Sequence, residues 1–325
     1  MIHQYKSNGY NIVMDVESGA VHVVDDVTYD VIALFEDTEI SKIVEQLSDK
    51  YDKADIEEAI SEVNQLKEDG QLFTQDIYQP FIEEFKDKRQ TVVKALCLHI
   101  AHDCNLACKY CFAEEGEYHG RRAMMSFEVG KKALDFLVAN SGKRRNLEVD
   151  FFGGEPLMNF DVVKQIVEYA RSKEEEYHKN FRFTITTNGM LLDDDTIDYI
   201  NKEMYNVVLS IDGRKEVNDR MRVRVDGSGC YDRILPKFKK LVDGRGDKEY
   251  YVRGTYTKYN LDFSEDVMHL YEAGFDEISV EPVIESPEEA YAITEEDLDQ
   301  IYAEYDKLVD RIGAIRKSGK HINFF

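Results

Sequence analysis

The chain has 325 residues and a formal net charge of −24, with 43% hydrophobic and 33% charged residues. This composition is typical of a folded protein and excludes a disordered chain. The sequence has no run of 18 apolar residues and does not begin like a signal peptide, so we expect a cytoplasmic protein without a membrane span. The acidity argues against nucleic acid as a partner, because phosphate contacts need a basic surface.

The first 90 residues hold eight Lys/Arg against 21 Asp/Glu and predict a small domain of their own. Two short β-rich runs precede three amphipathic helical patterns, and Leu72-Phe73 predict a further, wing-like strand. These elements favour a winged-helix-like α+β domain over residues 1–76, followed by a linker over residues 77–91. The predicted strands are Tyr10–Met14 and Ala20–Val24, and the predicted helices are Val27–Phe35, Glu39–Lys50 and Lys53–Asp69.

Strands alternate with helices over residues 92–285, which predicts six β/α units. Such alternation favours a parallel sheet with right-handed crossovers, so the expected α/β fold is a partial (β/α)6 barrel. Residues 286–325 predict one long helix, Glu295–Ser318, and an abrupt apolar ending that suggests a fragment of a longer protein. The predicted strands are Val92–Ile100, Leu147–Phe152, Arg182–Thr187, Val207–Ile211, Tyr250–Thr257 and Glu277–Glu281. The helices between them are predicted near Phe127–Ala139, Val162–Tyr177, Asp194–Lys202, Tyr231–Val242 and Ser264–Ala273.

Unusual residues follow the predicted strands at the ends where parallel β/α folds place their chemistry. The first strand runs into a loop with three cysteines, and the second runs into a Gly-Gly-Glu-Pro turn. Polar side chains end the next two strands, so we expect all these residues to share one pocket. They are Cys104, Cys108, Cys111, Gly153, Gly154, Glu155, Asn188, Ser210 and Asp212.

The spacing Cys104-x3-Cys108-x2-Cys111 can direct three thiolates at one inorganic centre. Iron–sulfur cubanes normally take four cysteine ligands, so three ligands leave one iron open to a small molecule. A Cys3His zinc site, with His99 or His102 as the fourth ligand, is the alternative. The other two cysteines are expected to be bystanders. Cys97 is predicted to be a buried small hydrophobe within the first strand, and Cys230 to be structural.

The Gly153-Gly154-Glu155 turn lets a ligand approach the backbone closely and offers oxygens that accept hydrogen bonds from an ammonium group. An ordinary strand-to-helix turn is the alternative. Arg222 and Arg253 could hold a ligand carboxylate, although structural ion pairs are equally plausible for both. Asp212 could form a turn instead of contacting a ligand. Together these groups suggest an amino-acid-like ligand.

The cysteine spacing, with the aromatic Tyr110 inside it, resembles the signature of the radical SAM superfamily, and Gly153–Pro156 resembles its second motif. The resemblance implies that the three cysteines hold a [4Fe–4S] cluster whose open iron binds S-adenosylmethionine (SAM). Reductive cleavage of SAM then gives a 5′-deoxyadenosyl radical that abstracts a substrate hydrogen. The resemblance further implies SAM contacts beyond the glycine turn. These are Tyr110 and Phe112 beside the adenine, Asn188, Ser210 and Arg222 at the ribose or carboxylate, and Asp212.

A narrower resemblance covers nearly the whole chain. Its N-terminal part, with Tyr10–Val13 and Ser18–Asp25, resembles a RiPP recognition element, the leader-peptide clamp of peptide-modifying enzymes. The chain is similar to the maturases of SCIFF peptides (six cysteines in forty-five residues), which form thioether cross-links. The resemblance implies a ribosomal precursor peptide whose leader adds to the third strand and third helix of the clamp. It also implies an electron donor such as flavodoxin or ferredoxin.

The same family carries auxiliary [4Fe–4S] clusters in a C-terminal SPASM-type domain, and this sequence lacks the cysteines for them. Three other interpretations stay open. The first is a sulfatase-type maturase that oxidises Cys or Ser. The second is a truncated leader-binding module that only cleaves SAM, and the third is a zinc-stabilised winged-helix regulator.

Overall fold

The computed structural model describes residues 1–88 and 91–325, and the chain divides between residues 90 and 91 into two compact units. The first unit begins with a three-stranded antiparallel sheet in the order β1-β2-β3. Helices follow the sheet in the chain. The strands are β1 (Ile2–Ser7), β2 (Tyr10–Asp15) and β3 (Val21–Val24), and the helices are α1 (Asp26–Leu34), α2 (Ile40–Leu47), α3 (Lys53–Glu68) and α4 (Ile82–Lys88).

The first unit departs from the prediction at both of its ends. Strand β1 was not predicted, although Asn8-Gly9 is a strong hairpin signal and both residues have the positive φ that a tight turn needs. The predicted wing at Leu72-Phe73 is wrong. Phe73 has a φ of 54°, which an extended strand does not allow, and Leu72 is fully buried in the core. Helix α4 lies in the predicted linker, and residues 89–90 of that linker lie outside the described residues.

This unit has a hydrophobic core of its own. Helix α3 contributes a stripe of buried residues to that core and packs against α1 and α2, while α1 contacts strand β2. Burial of such a stripe is the main source of stability for helices of this length. The buried residues of the core of the first unit include Val13, Val31, Ile43, Ile56, Ile60 and Val63.

The second unit is an α/β domain around an eight-stranded sheet in the order β11-β10-β9-β8-β7-β6-β4-β5. All neighbouring strands are parallel except β4 and β5, so the predicted parallel α/β fold is confirmed. The strands are β4 (Ala95–His102), β5 (Ala123–Met124), β6 (Asn146–Gly153), β7 (Asn180–Thr187), β8 (Asn206–Ser210), β9 (Tyr251–Tyr256), β10 (Glu277–Pro282) and β11 (Asn323–Phe324). The helices are α5 (Phe127–Asn140), α6 (Phe160–Tyr177), α7 (Asp194–Glu203), α8 (Lys215–Met221), α9 (Tyr231–Asp243), α10 (Phe263–Glu272) and α11 (Leu298–Lys317).

The two faces of this sheet differ in chemistry. Side chains alternate along a strand, and one set, which includes Phe151, Phe183 and Leu209, packs into the hydrophobic core with the helices. The alternate set, which includes Asp150 and Thr184, faces away from that core and forms what we call the inner face. No helix of the described residues is long and apolar enough to cross a membrane.

Candidate active site

The predicted site residues meet at one edge of the second unit. The cysteine loop follows β4, the Gly-Gly-Glu-Pro turn follows β6, and Asn188 follows β7. These three strands are neighbours and run parallel, so their carboxyl ends share an edge. Ser210 ends the next strand, β8, on the same edge. The structure therefore brings together the groups that the sequence spread over more than 100 residues.

The cysteine loop is held in place by main-chain hydrogen bonds to the last residue of α8 and to the segment that follows it. The amide of Ala107 donates to the carbonyl of Val223 at 2.8 Å, and the amide of Lys109 donates to the carbonyl of Met221 at 2.9 Å. Within the loop, the amide of Cys111 donates to the carbonyl of Cys108 at 3.1 Å. The backbone thus fixes the positions from which the three thiols project.

The environment of the thiols suits ligands of a positively charged centre. Burial raises the pKa of Cys104 to about 11 and that of Cys108 to about 12, and the charges of the neighbouring cysteines add to both shifts. Two N–H groups already point at the sulfur of Cys104, from the Leu106 amide at 3.5 Å and from Asn188 Nδ2 at 3.7 Å. Such donors stabilise a thiolate, and a bound cation reverses the effect of burial.

The residues fit a cluster with three cysteine ligands on one loop. Thiolates are the usual ligands of iron–sulfur clusters, and hydrogen bonds to the sulfurs tune them. In residues 1–88 and 91–325, no three His, Cys, Asp or Glu side chains are arranged to hold a single metal ion. His99 and His102, the candidate zinc ligands, instead pack against Tyr118 with ring centroids 4.6 and 5.0 Å apart.

The two glycines of the turn are required by the cysteine loop itself. The amide of Gly154 donates to the carbonyl of Ala101 at 2.7 Å, and the amide of Glu155 donates to the carbonyl of Asp103 at 2.9 Å. A Cβ on Gly153 would lie 2.4 Å from the Ala101 oxygen, and Gly153 also has a φ of +125°. The glycines were predicted to let a ligand approach the backbone closely. In the structure they let the turn approach the backbone of Ala101 and Asp103.

We expect Gly154→Ala to lower the free energy of unfolding of the second unit by about 2 kcal/mol, a typical cost of overpacking. The added Cβ would lie 2.1 Å from the Asp103 carbonyl oxygen, so the turn and the cysteine loop must separate. Thermal unfolding measures the loss of stability, and iron content after anaerobic reconstitution measures the loss of the cluster. The control Gly313→Ala has open space around its Cβ and should match the wild type in iron content.

Glu155 binds the neighbouring strand end with its carboxylate. The amides of Asn188 and Leu157 donate to it at 2.8 and 3.0 Å, and the hydroxyl of Thr187 donates at 2.9 Å. Burial raises its pKa to about 7, against the opposing effect of these three donors. The prediction that this carboxylate accepts from a ligand ammonium is at odds with its position, because it is fully buried and already hydrogen-bonded.

Tyr110, Asp212 and Arg222 form a buried network behind Cys108. Asp212 accepts hydrogen bonds from the Tyr110 hydroxyl at 2.6 Å and from Arg222 Nε at 2.9 Å. It also accepts from the amide of Thr255 at 3.1 Å, and none of its surface is exposed. Its carboxylate thus binds residues distant in sequence and does not form the local turn that was the alternative, while a SAM contact through Asp212 stays a prediction. The nearby Arg222 charge lowers the pKa of Cys108, in opposition to burial.

The remaining predicted ligand residues differ in placement. Phe112 is 70% exposed, and Ser210 is partly buried at the end of β8. Arg253 pairs with Glu281 at 2.5 Å on the inner face, so it follows the structural alternative. Cys230 is buried, as expected of a structural residue.

The prediction that Cys97 is a buried hydrophobe is wrong, because its side chain is exposed. Leu98 and Ile100 of the same strand face the core, and alternation directs Cys97 to the inner face. Strand β4 is rich in apolar residues, and such a composition suggests a strand that is buried on both faces. Burial of Cys97 was inferred from this composition.

Two residues that the sequence did not single out support the cysteine loop. Arg122 contacts three carboxylates, those of Asp103 and Glu115 at 3.2 Å and that of Glu117 at 2.8 Å. Tyr118 packs on the histidines of β4, and its buried hydroxyl has no hydrogen-bond partner among the described residues. The acidic residues that precede Arg122 in the sequence could have indicated its ion pairs. We find nothing in the sequence that indicates the role of Tyr118.

Comparison with known proteins identifies a family whose sequence model matches the part of the chain that contains this site. The sequence model of the Radical SAM superfamily matches residues 98–270, which is more than half of the chain and includes the site. The chain is 26% identical over 187 residues to the radical SAM cyclopropyl synthase TigE of Paramaledivibacter caminithermalis. It is 29% identical over 143 residues to a cysteine-type anaerobic sulfatase-maturating enzyme of Clostridium novyi.

These matches are partial in both directions. They cover 52% of this chain and 38% of TigE, and 43% of this chain and 37% of the Clostridium novyi enzyme. The solved structure of native anSMEcpe with bound AdoMet has a TM-score of 0.62 at 18% identity. That match covers 71% of this chain and 64% of the solved one, and it supports the fold.

Proposed function

Because the chain belongs to the radical SAM superfamily, we propose that it forms a thioether cross-link in a ribosomally made precursor peptide. The new bond would join a cysteine sulfur of the peptide to a carbon of another residue. The observation that carries the peptide assignment is a separate, strongly acidic unit with an exposed edge strand in the same chain as the radical SAM domain.

Membership in the superfamily implies a [4Fe–4S] cluster and SAM as cofactors of this chain. We propose Cys104, Cys108 and Cys111 as the cluster ligands. When bound, the cluster would supply an electron for reductive cleavage of SAM, and the 5′-deoxyadenosyl group would take the hydrogen atom of a peptide C–H bond. With the thiol proton released to solvent and the remaining electron returned to the cluster, SAM would be the net two-electron oxidant of the cross-link. The protein contributes orientation and exclusion of water.

The residues around the thiols have separate tasks in this proposal. Asn188 and the Leu106 amide donate to the Cys104 sulfur and hold it as a thiolate ligand. Asp212 fixes the Nε of Arg222, and we propose that the terminal nitrogens of this guanidinium hold the SAM carboxylate. The guanidinium carbon of Arg222 lies over the Tyr110 ring, 5.6 Å from the ring centroid, so Tyr110 helps to position Arg222. Gly153 and Gly154 keep the turn close to the loop that carries the cysteines.

Strand β3 is the proposed docking edge for the leader peptide. Among the described residues it pairs only with β2, so its other edge is open to a further strand. Val21 and Val23 project apolar side chains that are 59% and 65% exposed. An exposed apolar edge is a ready template for strand addition, which native proteins otherwise block. The 21 acidic residues of the first 90 favour a leader peptide that carries lysines.

We expect binding of a lysine-bearing leader peptide to weaken as salt is raised and to weaken about tenfold in Val23→Asp. Salt screens the attraction between exposed charges, and the new carboxylate removes an apolar contact from the edge. Fluorescence anisotropy of a labelled leader measures both effects. Ile40→Asp, at another exposed apolar position, on α2, is the control. Affinity that responds neither to salt nor to Val23→Asp would contradict leader binding at β3.

The experiment that tests the proposed function is a reaction of the full chain with SAM, reductant and a cysteine-rich precursor peptide. Thioether formation removes two hydrogens from the peptide and leaves one cysteine unreactive toward iodoacetamide. Mass spectrometry before and after alkylation detects both changes. A peptide that keeps its mass and all its reactive thiols while SAM is cleaved would contradict the proposal.

A sulfatase-type maturase is the second candidate, and the similarity to the Clostridium novyi enzyme favours it. Such an enzyme oxidises a Cys or Ser side chain and creates a carbonyl in place of a cross-link. Trapping of the product with a hydrazine reagent distinguishes the two, because a thioether does not react. The separate acidic unit with its open strand edge favours the first candidate.

A further inference from the structure

The segment that follows the third cysteine has a strained backbone. Four of its residues, none of them glycine, have the left-handed conformation that side chains disfavour. They are Glu114, Glu115, Tyr118 and His119, with φ between 48° and 57°. Such residues persist only where the surrounding structure determines their conformation, and they cluster at functional sites. The strain in this segment therefore points to a role beyond packing.

Contacts with the cysteine loop and with the glycine turn hold this segment in place. Gly116 packs so closely that a Cβ on it would lie 2.9 Å from the Cα of Gly154 and 3.0 Å from the carbonyl carbon of Asp103. Within the segment, the amide of Tyr118 donates to the carbonyl of Ala113 at 2.9 Å. The segment is therefore part of the wall around the three thiols.

The ring of Tyr118 is held by its neighbours. It packs against the rings of His99 and His102, with centroids 4.6 and 5.0 Å away, and against the ring of Phe112 at 6.0 Å. The hydroxyl at the end of the Tyr118 ring is buried and has no hydrogen-bond partner among the residues that the structure describes. Buried polar groups are almost always paired, so this hydroxyl indicates a partner that the polypeptide itself does not supply.

Thiols surround this hydroxyl. Burial raises the pKa of Tyr118 to about 12, and the charges of three cysteines add to the shift. These are, in order of effect, Cys111, Cys97 and Cys104, and two of them belong to the cysteine loop. Because the hydroxyl keeps its proton at neutral pH, it is available as a hydrogen-bond donor, and the sulfurs of iron–sulfur clusters accept hydrogen bonds.

We propose that the Tyr118 hydroxyl donates a hydrogen bond to a sulfur of the [4Fe–4S] cluster held by the three cysteines, and that this bond raises the reduction potential of the cluster. The inference rests on the proposed function, since it needs the cluster ligands assigned there. A donor to the sulfurs stabilises the negative charge that reduction adds, so the reduced state becomes easier to reach. Tyr118 thereby tunes the electron transfer that must precede SAM cleavage.

The test is an EPR-monitored redox titration of the anaerobically reconstituted full chain without SAM, for the wild type and for Tyr118→Phe. The substitution removes only the hydroxyl and keeps the ring on the two histidines. We expect reduction of the cluster to become about tenfold less favourable, a shift of about 59 mV to lower potential for one electron. Tyr205→Phe is the matched control, because it removes a hydroxyl that donates to Glu249 at 2.8 Å, directly before the amino end of β8. This control should keep the wild-type potential.

Equal potentials of the wild type and Tyr118→Phe would overturn the inference, as would an equal shift in Tyr205→Phe. Weaker SAM binding by Tyr118→Phe at an unchanged potential would assign the hydroxyl to SAM and would also contradict it. Loss of iron from Tyr118→Phe would contradict a role that is limited to the potential.

Failure of the proposed function has a different signature. If the potential shifts in Tyr118→Phe while the peptide gains no cross-link, the inference stands and the proposed cross-linking fails. A chain that holds zinc and no cluster would contradict the assigned cluster ligands and the role of Tyr118 together.

Discussion

Cys108→Ala is expected to abolish SAM cleavage while binding of the leader peptide stays unchanged. Three cysteines leave no spare ligand for the cluster on this loop, so the loss of one removes the electron source for the reaction. Burial raises the pKa of the Cys108 thiol to about 12. Its position is also fixed by the main-chain bonds of Lys109 and Cys111.

The measurement for Cys108→Ala is 5′-deoxyadenosine formed under anaerobic reduction, with iron content determined on the same sample. Production should fall below detection, a loss of at least a thousandfold. Cys97→Ala is the matched control, because that cysteine is exposed on the inner face within β4 and does not belong to the cysteine loop. Full SAM cleavage by Cys108→Ala would contradict the ligand assignment, and loss of leader binding would contradict the division of the chain into two units.

Glu155→Ala is expected to cost about 4 kcal/mol of stability in the second unit. The substitution leaves the amides of Asn188 and Leu157 without an acceptor in a buried site, and each unsatisfied group costs about 1–3 kcal/mol. Loss of the Thr187 hydrogen bond adds to this cost. Because Asn188 also donates to Cys104, the cluster site should be disordered together with the strand end.

Urea unfolding of Glu155→Ala measures the expected loss of stability. Glu155→Gln separates charge from shape, since it keeps an acceptor for Leu157 and presents an N–H group to the Asn188 amide. We expect a smaller loss for this variant, about 2 kcal/mol. Glu265→Ala is the control, because its ion pair with Arg311 is partly exposed and such pairs contribute about 1 kcal/mol or less. Equal stability of Glu155→Ala and Glu265→Ala would contradict the structural role of Glu155.

The alternating order of strands and helices was sufficient to predict the parallel sheet of the second unit. Buried strands such as Val207–Leu209 are continuous apolar runs, and their type is legible without knowledge of their partners. The first unit was harder, since β1 has few apolar residues and is stabilised by pairing with β2. The prediction of a wing-like strand at Leu72-Phe73 was wrong because burial of Leu72 in the core outweighs its β-propensity.

The positions of the site residues were predictable, but their roles were only partly so. The sequence shows where the strands end, and therefore that the cysteine loop, the glycine turn and Asn188 meet. It does not show which groups donate to the oxygens of Glu155 and Asp212, because these donors lie just after β7, just after α8 and on β9, distant in sequence. The same limit applies to Asp150, because only the structure shows that its Oδ1 atom has no hydrogen-bond partner among residues 1–88 and 91–325.

The most direct test of the radical SAM assignment is anaerobic reconstitution of the full chain with iron and sulfide, followed by reduction in the presence of SAM. We predict a brown protein with about four iron atoms per chain that converts SAM to methionine and 5′-deoxyadenosine. One zinc ion per chain, with no cluster absorbance and no 5′-deoxyadenosine, would contradict the account.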